Sequence, residues 1–334
     1  MKILVTGGLG YIGSHTCVSL IEKGMEVVII DNLSNSKITV LDSIEKITSV
    51  RPIFYQIDLL NLADIQMVFS QHEFDCVIHF AGFKAVGESV EKPLMYYENN
   101  LSGTIHLLMA MRDHSCKRIV FSSSATVYGD PTSCPITEDF PLHTTNPYGT
   151  TKLMLESIIT DVAKAIPGFS AVLLRYFNPV GAHKSGLIGE SPNGIPNNLM
   201  PYILGVASGK YPQLRIFGDD YNTPDGTGVR DYIHVLDLAS GHVAAVTQCI
   251  SNEGVLAYNL GTGIGYSVMD IVKHFESSTG IRIPYQVIER RPGDIATCFA
   301  DTQKAKDELG FEAKYTIDDM CIDSWNFAKL HMSN

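Results

Sequence analysis

The sequence predicts an α/β protein, a doubly wound parallel sheet joined to a smaller α+β region. Three observations carry this. Short apolar runs of strand length alternate with segments of helical spacing through the first half of the chain. A glycine triplet stands between the first run and the first helical segment, and regular alternation lapses after about residue 178. The length of 334 residues suits one large or two ordinary domains at about 150 residues each.

The first run, Ile3 to Val5, is broken by Thr6-Gly7-Gly8. Ile12, Cys17, Leu20 and Ile21 then recur with the period of a helix. Five more runs follow: VVII at 27–30, IFYQI at 53–57, CVIHFA at 76–81, RIVFSS at 118–123 and AVLLRYF at 171–177, all rich in β-branched or aromatic residues. Before the last of them Leu153, Leu155, Ile158, Ile159 and Val162 mark a long helix. Asn146 is its predicted N-cap and Pro147 its first residue. Runs this apolar are buried on both faces, as in a parallel sheet covered by helices. Right-handed crossovers place its ligand crevice at the carboxyl ends of the strands.

Residues 1–178 are therefore expected to form a Rossmann domain. Pro179, Gly181, Gly186, Gly189, Pro192, Gly194 and Pro196 then read as a long functional loop opening a second region over 179–334. The buried run VLAYNLG at 255–261 implies that the chain returns to the first domain at about 232–262. The strand IPYQVI and a helix starting near Asp301 should close it. No internal repeat or low-complexity tract is present.

Composition excludes several functions. With 25 Lys+Arg against 36 Asp+Glu the net charge is −11, which disfavours nucleic acid or anionic lipid as a partner. An anionic ligand must then be held by local arginines or helix N-termini. No apolar stretch approaches 18 residues, so no membrane span is expected. The seven scattered cysteines, without a C-x-x-C pair, suit reduced thiols in the cytoplasm rather than a disulfide or zinc framework. His15, His79 and His234 form no metal pattern and are expected to be structural. The 11 methionines show no helical stripe and read as core filler.

Gly7-x-x-Gly10-x-x-Gly13 sits where a dinucleotide fold needs glycine: for a tight turn, for backbone approach to a pyrophosphate, and for close helix packing. The N-terminus of the following helix offers free N–H groups to the phosphates. Asp31 ends the second strand, 18 residues after Gly13, where a carboxylate can accept from both ribose hydroxyls. Asn32, Leu33, Ser34 and Asn35 follow without an arginine for a 2′-phosphate, so NAD is favoured over NADP. Asp58 ends the third strand and either reaches the adenine region or caps the helix near Asn61.

Tyr148 and Lys152 lie one turn apart on the long helix, and Ser122-Ser123-Ser124 ends the fifth strand. A tyrosine hydroxyl with its usual pKa of about 10 is too weak a base at neutral pH. A neighbouring ammonium and the positive nicotinamide favour its phenolate.

The glycine triplet, Tyr-x-x-x-Lys and the upstream serine resemble the extended short-chain dehydrogenase/reductase family. TGGLGYIGSHT, FAGFKAVGESV, SSSATVYGD, RYFNPVGAH, NNLMPYI, GTGVRDYIHVLDLA and RRPGD, in this order over nearly the whole chain, resemble its UDP-hexose 4-epimerases in particular. The resemblance implies that Tyr148 takes the proton of the sugar 4-hydroxyl while hydride passes from C4 to NAD. Ser124 would bind the reacting oxygen, and Lys152 the nicotinamide ribose. The 4-ketone would turn over and recover the same hydride on its other face, so that NAD stays bound.

Cofactor contacts carry over to Gly7, Gly10, Tyr11, Ile12, Gly13, Asp31, Asn32, Asp58, Leu59, Phe80, Ala81, Gly82, Lys84, Asn99, Ser122, Tyr148, Lys152 and Tyr176. Substrate contacts carry over to Lys84, Ser124, Tyr148, Asn178, Asn198, Leu199, Phe217, Arg230, Arg291, Asp294 and Cys298. Arg230 and Arg291 would meet the diphosphate and Phe217 the uracil, while Arg215 stands in the uracil segment where the family also has a small apolar residue. At the position of Cys298 some members carry tyrosine, which closes the pocket to a C2 acetamido group; cysteine leaves room for UDP-GlcNAc and UDP-GalNAc, although a buried cysteine is also ordinary core.

The resemblance further implies a homodimer through helices near 92–113 and 147–165. Sugar-nucleotide 4,6-dehydratases need an Asp-Glu pair just after the catalytic serine or threonine, and here Ala125 and Thr126 follow Ser124. A UDP-glucuronate decarboxylase or epimerase remains an alternative. A non-enzymatic NAD-binding scaffold does not require Tyr148, Lys152 and Ser124 together.

Overall fold

Alternation of buried strands and amphipathic helices builds the molecule from its first residues. In the computed structural model, which describes residues 1–331 except 193, 195, 197 and 292, the order is β1 (Lys2–Thr6), α1 (Tyr11–Glu22), β2 (Glu26–Asp31), α2 (Thr39–Thr48), β3 (Ile53–Gln56), α3 (Leu62–Gln71) and β4 (Cys76–His79). Next come α4 (Val86–Glu91), α5 (Pro93–Tyr97), a π-turn at Glu98–Ser102, α6 (Gly103–Asp113), β5 (Arg118–Ser124), a 3₁₀ turn at Ala125–Tyr128, α7 (Pro147–Ala165) and β6 (Ser170–Tyr176). The rest comprises β7 (Asn178–Val180), α8 (Leu199–Ala207), β8 (Leu214–Phe217), β9 (Val229–His234), α9 (Val235–Ser251), β10 (Gly254–Leu260), β11 (Gly265–Ser267), α10 (Val268–Thr279), β12 (Tyr285–Ile288), β13 (Thr297–Cys298), α11 (Gln303–Leu309) and α12 (Ile317–His331). Asn197 of NNLMPYI and Pro292 of RRPGD lie outside the described residues.

Seven parallel strands form the main sheet in the order β10-β6-β5-β4-β1-β2-β3. Alternate residues of each strand feed opposite faces. Ile3, Val5, Ile29, Ile78, Val120 and Val172 pack with Cys17, Leu20 and Leu238 on one side, and Leu4, Val28, Val77, Ile119 and Ala171 with Val68, Leu107, Met111, Leu155 and Ile159 on the other. Chain direction reverses its spread at β1 and β4, and the crevice of such a sheet lies outside their carboxyl ends. The strand expected over 76–81 stops at His79, so Phe80 and Ala81 bend out of the sheet into that crevice.

Beyond residue 178 the strands pair separately. β9 is flanked by β11, antiparallel, on one edge, and β13 and β7, parallel, pair with its two ends. β8 and β12 form a parallel pair. β9 belongs to the second sheet, and the chain reaches the first sheet again through α9 and β10, the strand formed by the VLAYNLG run. Beyond the expected helix near Asp301, realised as α11, a longer one, α12, closes the chain and packs Met320 and Cys321 against Ile271 and Phe275 of α10.

Asp231 of β9 ties the two regions together. Its fully buried carboxylate accepts hydrogen bonds from Thr262 N (2.8 Å), Gly263 N (3.0 Å) and Ala300 N (3.1 Å), anchoring the turn after β10 to the second sheet. Burial raises its pKa and these donors oppose the rise.

Candidate active site

The glycine turn and the loop after β4 meet at the switch point. Gly7 has φ +69°, and a Cβ there would stand 2.8 Å from the Ala81 backbone nitrogen. A Cβ on Gly13 would collide with the Gly7 carbonyl oxygen. The turn is thus shaped with no room for side chains, and α1 opens above it at Tyr11 with Gly10 as N-cap. Its first N–H groups and this side-chain-free cradle fit a dinucleotide pyrophosphate.

Asp31, at the end of β2, is nearly buried. Its carboxylate accepts from Leu9 N (3.1 Å) in the glycine turn, from Leu33 N (2.9 Å) and from Ser36 Oγ (2.8 Å). It therefore shapes the turn as well as standing where a ribose would lie. Asp58 is not the N-cap of α3, a position taken by Asn61. It accepts from Leu60 N (2.9 Å) and from Asn32 Nδ2 (2.9 Å), so the two residues are braced together beside Asp31. Leu59 is buried, with its carbonyl bound to His106.

Phe80, Ala81 and Gly82 are held from beneath. His79 lies buried between Thr6 and Thr104, and burial pushes its pKa down to about 3, with Lys152 adding to the fall. The Thr104 hydroxyl donates to the Asn100 carbonyl, so His79 Nε2 carries the proton and Nδ1 accepts from Thr6. Asn100, in the π-turn, accepts from Phe83 N (2.8 Å) and Asn99 Nδ2 (2.9 Å) and donates to Phe83 O and Thr151 Oγ1 (both 3.1 Å). This buried amide, absent from the sequence expectations, pins the 82–83 loop to α7.

Asn146 caps α7 through Gly149 N (2.9 Å), with Pro147 first in the helix, as its sequence requires. Tyr148 and Lys152 then project toward the end of β5. Lys152 Nζ is buried and donates to Ser122 O (2.6 Å) and Ser122 Oγ (3.3 Å), lying 5.9 Å from the Tyr148 ring centre. Burial lowers its pKa to about 8, and Glu156 resists the fall. Ser124 Oγ accepts from Thr126 N (3.2 Å) and Thr126 Oγ1 (3.0 Å), and its hydroxyl lies near enough to Tyr148 to favour the phenolate.

The sequence led to the expectation that Lys152 lowers the Tyr148 pKa. Within the chain burial dominates instead and raises it, and the nearby Ser124 hydroxyl opposes the rise. The reason is placement, since the Lys152 ammonium is turned onto Ser122. Tyr176 donates to His242 Nε2, whose Nδ1–H is bound to Leu238 O (2.8 Å). Burial lowers His242 to about 4, so this imidazole is neutral.

The second region supplies the opposite wall. Lys84 pairs with Glu190 (3.1 Å), and Asn198 Nδ2 donates to the same oxygen (3.1 Å). Glu190, another residue the sequence did not single out, thus joins two candidate ligand contacts. Tyr11 is tied to the same segment through Gly181 O (2.7 Å). Asn178 is exposed at the start of β7, and Leu199 opens α8. Arg230 donates to Val229 O (2.8 Å) and has no ion pair among the described residues. Arg291 pairs with Asp294 (3.0 Å) and covers the exposed Phe217 ring at 5.2 Å. Arg215 shares the exposed face of β8 with Phe217. Cys298 pairs with Arg230 across β13 and β9 and packs on Val127 and Tyr128, just beyond Ser124.

A parallel sheet with a glycine cradle at its switch point and a Ser, Tyr and Lys set beside it defines a nucleotide-dependent oxidoreductase-type enzyme. The family described as GDP-mannose 4,6 dehydratase matches residues 4–324. UDP-glucose 4-epimerase of Bacillus subtilis is 61% identical over 98% of this chain and 96% of that protein. Two solved epimerase structures superpose closely. That of Stenotrophomonas maltophila, with bound NAD and formylated UDP-arabinopyranose, has a TM-score of 0.98 at 48% identity, covering 100% of this chain and 99% of the other. That of Bifidobacterium longum, in complex with NAD+ and UDP, has a TM-score of 0.96 at 54% identity, covering 99% and 98%. The chain belongs to the UDP-glucose 4-epimerase family, within the extended short-chain dehydrogenases/reductases.

Asp31→Ala should weaken dinucleotide binding tenfold or more, from the about 1.5–3 kcal/mol of a hydrogen bond to a charged group. Asp31→Asn, which keeps one acceptor oxygen for Leu33 or Leu9 but not for both, should lose less. Titration with NAD followed by calorimetry checks this, and unchanged binding in both variants would remove Asp31 from the cofactor site.

Proposed function

We propose that this protein interconverts UDP-glucose and UDP-galactose at C4 of the hexose, with NAD as resident cofactor. The observation that carries the assignment is the meeting of Tyr148, Lys152 and Ser124 at the carboxyl end of β5, beside the glycine cradle. Bound NAD supplies a hydride acceptor for sugar C4 and returns the hydride to either face. Tyr148 takes the proton of the 4-hydroxyl and later gives it back, while Ser124 holds the same oxygen. Because burial raises the Tyr148 pKa, its use as a base rests on the positive charge that arrives with the cofactor. Lys152 also presents donors to a ribose lying over Ser122. On the substrate side Arg230 and Arg291 face the diphosphate, Phe217 the uracil, and Asn178, Asn198 and Leu199 the sugar and phosphates.

The matching family is described by a dehydratase, yet dehydration needs acids after the serine. Ala125 and Thr126 follow Ser124, and the Thr126 hydroxyl is spent on Ser124 Oγ. Cytoplasmic location is proposed from seven free thiols. A homodimer is proposed through α5, α6 and α7, which expose Leu94 (81%), Ile105 (40%) and Met154 (45%); light scattering at micromolar protein should give twice the chain mass, and a monomer would reject it.

Tyr148→Phe should lower turnover roughly 10²- to 10⁴-fold, measured by NMR conversion of UDP-galactose, with NAD still bound. Undiminished turnover would remove Tyr148 from the proton transfer. A second activity, on UDP-GlcNAc and UDP-GalNAc, is supported by the volume at Cys298, which lacks a ring. Cys298→Tyr should abolish the N-acetyl reaction and largely spare the hexose reaction, provided its melting temperature shows that the buried site accepts the ring. Equal loss of both in a folded variant, or no N-acetyl activity in the wild type, would leave Cys298 as packing only.

A further inference from the structure

Behind the catalytic set lies a buried polar cluster that the reaction as described does not use. Glu156 follows Tyr148 and Lys152 on the same face of α7 at four-residue intervals. Its carboxylate is almost fully buried and accepts from Ser123 Oγ (2.5 Å), Arg175 Nε (3.0 Å) and Arg175 Nη2 (2.7 Å). Arg175, on β6, also donates to Tyr128 Oη (2.9 Å) and Glu138 O (3.1 Å). Tyr128 in turn donates to Asn259 Oδ1 (2.7 Å). A fork this well satisfied rigidifies what it touches. It touches Ser123, whose neighbours Ser122 and Ser124 bind the Lys152 ammonium and adjoin Tyr148 respectively.

We propose that Glu156 is a positioning residue of the active site, which clamps the Ser122–Ser124 segment in register with α7 and supplies the countercharge to the buried Lys152 ammonium. The ammonium is faced by Ser122 and Phe121 from β5, by neutral His79 from β4, and by Tyr148 and Glu156 from its own helix; Arg175 on β6 pairs with Glu156, and Tyr176 on β6 is under the charge of Tyr148. Glu156 is the carboxylate that opposes the loss of its proton, beside the acceptor oxygens of Ser122. Arg175 grips that carboxylate from β6 with two nitrogens. Removing the negative charge should let burial drive the Lys152 proton off at lower pH.

The inference rests on the assignment of Lys152 to the catalytic set, so the test has two readouts on the full NAD-loaded chain. One is titration of the Lys152 side chain by NMR with 13C-labelled lysine, its signal identified by loss in Lys152→Met. The other is the pH profile of kcat and KM for UDP-galactose. In Glu156→Gln the Lys152 midpoint should fall by about one unit, the scale of a nearby opposite charge. The alkaline limb of kcat should move down with it, with little change in KM. Glu156→Asp, which keeps the charge, should keep the limb near its wild-type position.

Glu156→Gln strands the Arg175 guanidinium and can unfold the chain. Glu156→Gln/Arg175→Met removes both charges, a replacement buried pairs commonly tolerate, and should retain a lowered midpoint. A folded variant of either kind with the wild-type Lys152 midpoint overturns the inference. A lowered midpoint in a wild-type background that does not convert UDP-galactose would instead sink the catalytic assignment and leave the countercharge standing.

Discussion

Taking an ammonium out of water costs several kcal/mol unless its donors are met and a countercharge is near, and Lys152 is buried at the junction of β5 and α7. Much of the surrounding structure follows from that constraint. The Ser122 carbonyl, one residue past the last β4–β5 pair at Phe121, takes one proton of the ammonium. His79 is buried close by and is kept neutral by burial and by Lys152 itself, so no second cation competes. The carboxylate that balances the charge stands one turn along the same helix and is held by Arg175 from the adjacent strand β6. Charge placement and strand order are the same fact here, since β5 and β6 must be neighbours for Arg175 to reach α7.

A second constraint operates at the switch point, where steric rather than electrostatic terms decide. β1 and β4 are adjacent although they start 74 positions apart, at Lys2 and Cys76, and their loops approach so closely that Gly7 cannot carry a Cβ beside Ala81. The N–H groups at that contact are spent within the chain, Gly7 N on Ile30 O (2.7 Å) and Ala81 N on Thr6 Oγ1 (3.4 Å), so the donors for a phosphate are those of the first turn of α1. Asp31 reinforces the turn from β2 by binding Leu9 N, so the acid proposed to meet a ribose also sets the curvature of the glycine turn. In that proposal cofactor recognition and turn geometry are coupled through one carboxylate.

What could be read from sequence was local. Strand runs, the capped start of α7 and the Tyr148 and Lys152 spacing depend on neighbours within one turn or one strand, and periodicity reports these directly. The ends of strands were less legible: CVIHFA reads as one apolar run, yet β4 ends at His79, and Phe80 and Ala81 lie half-buried beyond it at the rim of the two core layers. Asn100, Glu156, Arg175, Glu190 and His242 were missed for a common reason. Each is a polar residue whose partner lies far along the chain, Lys84 and Glu190 being 106 positions apart and Tyr176 and His242 66. A buried, satisfied polar residue and a solvated one look alike until the fold brings the partner in. Lys152 was found by its spacing to Tyr148, but its engagement with Ser122 was not, and the expected effect on Tyr148 failed on that detail.

The two regions meet through packing that constrains how a ketone could turn within the site. The turn after Ser124 buries Val127 and Tyr128 against Phe177, Cys298 and Ala300, while Asp231 binds the turn after β10 and the backbone at Ala300. The catalytic serine, the Cys298 wall and the strand bearing Arg230 are thereby parts of one packed unit. Groups on the outer rim differ: Arg291 and Phe217 are exposed and held by a surface ion pair and a ring contact, interactions worth little in water. Rotation of a sugar about its link to an anchored nucleotide therefore meets a fixed inner wall and an adjustable outer one. The proposed second activity therefore depends on the volume of the inner wall, not on the affinity of the rim.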